Sequence, residues 1–278
     1  MDQAHKDRLI EEAKQRTFAD IIERSHDEKN VCCDAKTLHE EIMKVGLVEA
    51  GTVRGLIEHI FNKATADTSS CQTLAELCSL MPAHLEPPES AVPAVKEKGA
   101  GSRGSSEKRV DFRLMVLRKC KEELEKGGAA MKAVRQWDSK ETAGGKKGGG
   151  LKGEEKEQAE LDRLAYHRML GAVQFCGHLY NVGILTEKII HSAIDAMIKD
   201  EADYSRHENM EILSNLLRSI GMKLDSSSRS SKDSKAVAEY FKRVEKIKAE
   251  ASSKEIAKMM EKVLTLRENH WEEAASAH

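Results

Sequence analysis

The sequence predicts an all-α fold, a solenoid of antiparallel helix pairs stacked side by side. Three observations carry that prediction. Apolar residues recur at helical spacing along most of the chain, and no stretch shows the strict alternation of a strand. Of the 278 residues, 33% are charged and only 4% aromatic, so the packing is aliphatic and the outer faces are solvated. Finally, the helical stretches come in pairs joined by short turns, and one pair cannot bury two wide apolar faces by itself.

The segment 1–30 forms a leading helix whose stripe, Leu9, Ile10, Ala13, Phe18, Ile21 and Ile22, is less regular than those that follow. The remaining chain, 31–278, is expected to be one domain. "TLHEEIMKV" offers Leu38, Ile42 and Val45, and "TVRGLIEHIFNKA" sets Val53, Leu56, Ile57, Ile60, Phe61 and Ala64 on one face. "CQTLAELCSLM" brings Leu74, Leu77, Cys78 and Met81 together and stops at Pro82. "VDFRLMVLRKCKEELEK" carries Phe112, Met115, Val116, Cys120 and Leu124.

The next pair has the clearest turn. In "GHLYNVGILTEKII" (177–190), Asn181 and Gly183 tolerate the left-handed backbone that ends a helix. Thr186 is a candidate N-cap for the helix that follows, and Leu185 staples onto Ile190. "ENMEILSNLLRSIG" follows with Met210, Leu213, Leu216, Leu217 and Ile220, and Gly221 as its expected C-cap. "KAVAEYFKRVEKIK" carries Val237, Tyr240, Phe241, Val244 and Ile247. The last helix begins with a capping box from Ser252 to Glu255 and buries Ile256, Met259, Met260, Val263 and Leu264.

Three stretches break the array. All four prolines lie in 82–109, the run "AGGKKGGGLKG" falls in 127–153, and "DSSSRSSKDS" fills 225–234. All three are expected as flexible linkers. The pairs 36–65, 69–126, 156–199 and 206–249, with an opening helix from 253, give about five units of the HEAT kind, the last incomplete at His278.

Several chemistries are tested and set aside. A net charge of −2 supplies no bulk attraction for nucleic acid. The charged start "MDQAHKDRLIEEAK" is no secretory signal, and no run approaches the ~18 apolar residues of a membrane span. The six cysteines contain no CxxC, so they are expected as reduced thiols in a cytoplasmic protein. "GGKKGGG" (144–150) lacks the Gly-Lys-Ser/Thr ending of a phosphate loop. Cys32 and Cys33 near His26 or His39 have no geometry fixing a base and an orienting group. Cys71 and Cys78 share a helix face but lack the two further ligands of a zinc site. Neither an active site nor a cofactor is expected, which leaves a binding scaffold.

The residues then show a resemblance. "LGAVQFCGHLYNVGILTEKIIHSAIDAMI" (170–198) is similar to the middle domain of translation-initiation factor 4G, with its L-G-x-(I/V)-x-F-x-G-x-L-(F/Y), turn, L-T-E pattern. "GLIEHIFNKA" (55–64), "FRLMVLRKCKEELE" (112–125), "LSNLLRSIGMKLD" (213–225), "YFKRVEKI" (240–247) and "VLTLRENHW" (263–271) match further elements in the same order. Two departures weaken RNA binding. Ala165, Tyr166, His167 and Arg168 stand where the family has an arginine run, and Glu272 and Glu273 where it tends to be basic.

The resemblance implies a crescent of HEAT repeats in the cap-dependent initiation complex that docks a DEAD-box RNA helicase, factor 4A. Holding the helicase's two lobes half open speeds its ATP cycle without catalytic groups from the scaffold. Carried over by position, Phe61, Asn62 and Lys63 are helicase contacts at one end, and Leu224, Asp225, Phe241, Arg267 and Trp271 at the other. Phe61 and Phe241 lie on apolar stripes and serve equally as core, and Arg267 with Trp271 also suits closure of the last helix. Arg113, Arg118, Lys119 and Lys121 form a basic helix face for RNA or for solvent, solvent being favoured. A cap-binding protein belongs to such a complex, yet Tyr180–Leu185 misses its docking pattern because Thr186 fills the apolar place. Related middle-domain scaffolds of mRNA decay or nuclear cap binding, and a mainly RNA-binding helical module, are the alternatives.

Overall fold

The computed structural model describes residues 3–25, 34–47, 49–82, 84–85, 110–145, 153–198, 206–228 and 234–272. Among them are ten α-helices: α1 (Gln3–Glu23), α2 (Ala35–Val45), α3 (Ala50–Ala66), α4 (Cys71–Leu80), α5 (Phe112–Gly145), α6 (Glu154–Asn181), α7 (Glu187–Ile198), α8 (His207–Ser228), α9 (Ser234–Glu250) and α10 (Lys254–Glu268). A 3-10 turn, Thr68–Ser70, leads into α4. The two-residue strands β1 (His84–Leu85) and β2 (Val110–Asp111) pair antiparallel, with Leu85 opposite Val110. This bridge ties the two ends of the proline-rich stretch together just before α5, a pairing that two residues could not signal by alternation.

The helices stack in two layers. The odd-numbered helices follow one another along one layer and the even-numbered ones along the other, each helix crossing to a neighbour in the opposite layer. One continuous apolar core runs from Phe18 and Ile22 in α1 to Met260 and Val263 in α10. The leading helix therefore shares that core. The most extensive antiparallel contacts join α5 to α6 and α9 to α10, one helix out of phase with the pairs marked from the sequence.

The hub is α6, which touches α3, α4, α5, α7 and α8. From Met169 to Tyr180 its buried residues are Met169, Leu170, Gly171, Ala172, Val173, Phe175, Cys176, Gly177, Leu179 and Tyr180. A helix apolar all round needs neighbours on every side, which is why this stretch carries the densest sequence motif. It ends as the sequence predicts. Gly183 has φ +80, and the amide of Ile184 returns to the Leu179 carbonyl at 2.9 Å. Lys223 adds a cap from α8, donating to the Tyr180 carbonyl at 2.6 Å.

Two local expectations are corrected. The linker placed at 127–153 is helical to Gly145, because Ala130, Met131 and Val134 bury against α6 and so outweigh two glycines. That hairpin is also laced by polar contacts: Trp137 Nε1 donates to Asp162 at 2.8 Å, and Arg163 meets Glu141 at 3.1 Å. Likewise, α8 extends through Ser228 into the loop expected at 225–234. The cap of α10 is Ser253, one residue later than expected, its hydroxyl accepting from the Glu255 amide at 3.2 Å. The rest of the expected linkers, with His26, Cys32 and Cys33, lies outside the described residues.

Candidate partner-binding surfaces

At the end of α3 the sequence places an aromatic, an amide and a cation side by side, and helical geometry sends them different ways. Phe61 points inward, fully buried, its ring edge-on to Phe175 of α6 at 5.2 Å. It anchors α3 and offers no surface to a partner. Asn62 is exposed, and its Oδ1 accepts from Arg168 of α6 at 2.8 Å. Lys63 reaches back across α1 to Glu23 at 3.0 Å and along its own helix to Asp67 at 3.5 Å. Burial alone would favour the neutral amine, but the two carboxylates reverse that and raise the Lys63 pKa. A shallow groove of about 220 Å³ between α1 and α3 is lined by Ile22, His59, Asn62 and Lys63, among others. Burial lowers the pKa of His59, so the groove presents a neutral imidazole at neutral pH.

Behind Asn62 lies a charged network with no local sequence signature. Arg168 grips Glu123 with two nitrogens, at 2.7 and 3.1 Å. Lys119 joins the same carboxylate at 2.9 Å and reaches Glu58 of α3 at 2.5 Å. Glu123 is 5% exposed. Burial works against its ionisation, yet the hydrogen bonds from Arg168 and Lys119 hold its carboxyl below the usual carboxylate range. Arg168 thus fastens α6 to α5 and α3.

The second predicted group converges at one corner. Leu224 and Phe241 are buried, at 1% and 2% exposure, and belong to the core. Asp225 of α8 accepts from Arg267 Nε at 3.1 Å and Nη2 at 3.0 Å, and from Trp271 Nε1 at 2.9 Å. The guanidinium lies 3.7 Å above the centre of the Phe241 ring, and Trp271 meets the same ring edge-on at 5.9 Å. After α10 the backbone turns left-handed, His270 at φ +55 and Trp271 at φ +69, which folds the indole back over α8. Such angles cost roughly 1–3 kcal/mol each outside glycine, and the contacts of the indole offset that cost. Gly221 makes room for it, since a Cβ there would stand 2.0 Å from the ring. Gly221 thus lies inside α8 and seats Trp271, where the sequence suggested a C-cap.

The basic face on α5 is mostly paired. Arg113 donates to the carbonyls of Gly183 and Ile184, the latter at 3.1 Å, and so braces the α6–α7 turn. Lys119 is held in the Glu58–Glu123 network, and Lys121 faces Glu125 at 3.6 Å. Arg118 is exposed.

The four described cysteines, Cys71, Cys78, Cys120 and Cys176, are buried and unpaired in disulfides. Burial pushes the thiols of Cys71 and Cys78 up to about 12, and that of Cys120 well upward too. Those three remain protonated, which is the unreactive form. Among the described residues there is no cluster of three His, Cys, Asp or Glu fit to hold a metal ion, and no helix long and apolar enough to cross a membrane.

Comparison with known proteins places this architecture. The MIF4G domain model matches residues 20–270, from the last turn of α1 to just past the end of α10. The chain belongs to the MIF4G family. It is 28% identical to eukaryotic translation initiation factor 4G of Arabidopsis thaliana over 95% of its own length and 13% of that protein's. It is 28% identical to eukaryotic translation initiation factor 4 gamma 1 of Mus musculus, covering 96% of this chain and 16% of the mouse protein. Against eukaryotic translation initiation factor 4 gamma 3 of Homo sapiens the identity is 28% over 79% of this chain and 12% of the relative. This MIF4G domain thus spans less than a fifth of the length of those relatives, and its all-helical solenoid is the fold of the family.

Proposed function

We propose that this MIF4G domain is a non-enzymatic scaffold of the cytoplasmic, cap-dependent translation-initiation complex, and that it binds and stimulates a DEAD-box RNA helicase, factor 4A. The observation that carries the reading is the pairing of two surfaces at opposite ends of one array built on a continuous core. At the α3 end, Asn62 and Lys63 are presented by the buried Phe61 and braced by Arg168 and Glu23. At the other, Arg267, Asp225 and Trp271 are presented by Phe241 and Leu224. The names of the relatives, all initiation factors, support the same assignment.

A two-lobed helicase alternates between open and closed forms. A partner that grips both lobes shifts that equilibrium by its difference in affinity for the two forms, and by no more than that. The scaffold needs only a fixed separation between its two grips, which a continuous core from α1 to α10 supplies. A cap-binding protein would join the complex through a region of a longer chain, and mRNA contact plays a minor part here because most cations of α5 already have carboxylate or carbonyl partners.

The test is the RNA-stimulated ATPase rate of factor 4A with and without this chain, beside an Asn62→Ala/Lys63→Ala variant. Stimulation by the natural chain, reduced about tenfold or more in the variant with its helical content unchanged, is the expected result. Absence of stimulation and of co-purification by the natural chain would transfer the reading to the decay or nuclear scaffolds of the same fold.

A further inference from the structure

On the face of α3 away from α1 lies a second groove, of about 370 Å³, formed where α5 runs alongside. Its floor is apolar, made by Ile57, 3% exposed, and the half-buried Met115. Arg54 on α3 and Arg118 on α5 flank that floor from opposite sides, and both are exposed. Lys119, Glu58 and Glu122 complete the rim.

The pairing of these charges decides what the groove suits. Lys119 lies between Glu58 and Glu123, at 2.5 and 2.9 Å, and Glu122 faces Lys126 at 4.0 Å. Arg54 and Arg118 have no carboxylate or carbonyl partner among the described residues. Two planar, always-charged guanidinium groups, both exposed, thus stand on either side of an apolar slot. The volume is at the lower end of the roughly 300–1,000 Å³ of ligand pockets, enough for one or two large side chains.

We propose that this α3–α5 groove docks a short segment of a partner protein in which carboxylates flank an apolar anchor. The anchor fills the slot over Ile57 and Met115, and the carboxylates take the two arginines, an arrangement in which each guanidinium can bind bidentately. A nucleic-acid backbone fits less well, because its sugars and phosphates offer nothing to the apolar floor of Ile57 and Met115. The site is separate from the Asn62–Lys63 surface, which faces α1, and does not depend on the helicase assignment.

The experiment uses a defined probe, the peptide acetyl-Asp-Glu-Leu-Phe-Asp-Glu-amide, titrated into the full chain carrying methyl-labelled isoleucine and methionine. Saturable shifts of the Ile57 and Met115 methyls are expected. They should weaken about tenfold or more in an Arg54→Glu/Arg118→Glu variant, and likewise when the Leu-Phe pair of the peptide is replaced by Ser-Ser. Both arginines are exposed, so the variant should keep the natural chain's circular dichroism. No saturable shift, or shifts indifferent to the arginines, would overturn the proposal. Tighter binding of a single-stranded oligouridylate at the same methyls would overturn it as well and assign the groove to RNA.

Discussion

At the scale of single residues, Glu123 is the most consequential side chain that no motif announces. It holds Arg168 and Lys119 at once while almost wholly buried. Glu123→Gln leaves two cations sharing a neutral amide. The expected loss is about 2 kcal/mol, less than the roughly 3–5 kcal/mol of a fully buried pair because Arg168 remains about a third exposed. The pH dependence has a definite sign. Because the folded pKa lies below the unfolded one, the contribution is present above the ordinary carboxylate pKa of about 4.3 and disappears as pH falls through the folded value. Urea midpoints measured from pH 7 to pH 3 should therefore converge for the natural chain and Glu123→Gln at the acid end. An equal gap at every pH would show that the charge is not the stabilising feature.

Residue identity was legible where it is tied to helical period. Phe61 and Phe241 lie on apolar stripes and the structure puts them in the core, where Leu224, expected only as a partner contact, joins them. What the stripe does not encode is the partner across a helix crossing. Lys119 and Glu123 are spaced as an i, i+4 pair, which any surface helix shows. Only the arrival of Arg168, 45 residues later, makes them a buried network.

At the scale of helices, the corner of α8, α9 and α10 depends on one missing methyl. Gly221→Ala would put a Cβ into the Trp271 ring, breaking the indole bond to Asp225 and the edge contact with Phe241. Overpacking of this kind costs about 1–3 kcal/mol. In a Trp137→Phe background, which leaves Trp271 as the single indole, its emission should shift to the red on Gly221→Ala. An unchanged spectrum would mean the ring is not seated there. The sequence suggested Gly221 as a helix stop, a sound inference from glycine's usual role, but the backbone runs on because a neighbouring ring needs the space. The same blind spot explains α5. Glycine at 127 and 128 argues locally for a linker, while the burial of Met131 and Val134 against a distant helix decides for helix.

At the scale of the whole molecule, most of the architecture was visible as periodicity, since stacked helix pairs make largely local contacts. The phase of the pairing was not, because it is set by which faces meet across a turn, and turn length alone leaves either choice open. The two-layer stack also means that no helix is stable without its neighbours. Opening should therefore proceed by units, and the chain contains its own reporters of that process. The thiols of α4, α5 and α6 are sealed in the core. An alkylating reagent reaches each one only in the instants when its surroundings come apart. Labelling rates at Cys78, Cys120 and Cys176, read by mass spectrometry in the native protein, should all be slow and should fall together if the hub opens as a single unit. If Cys78 reacts well ahead of the other two, α4 comes away first, and the solenoid has a hinge between its first repeats and its centre.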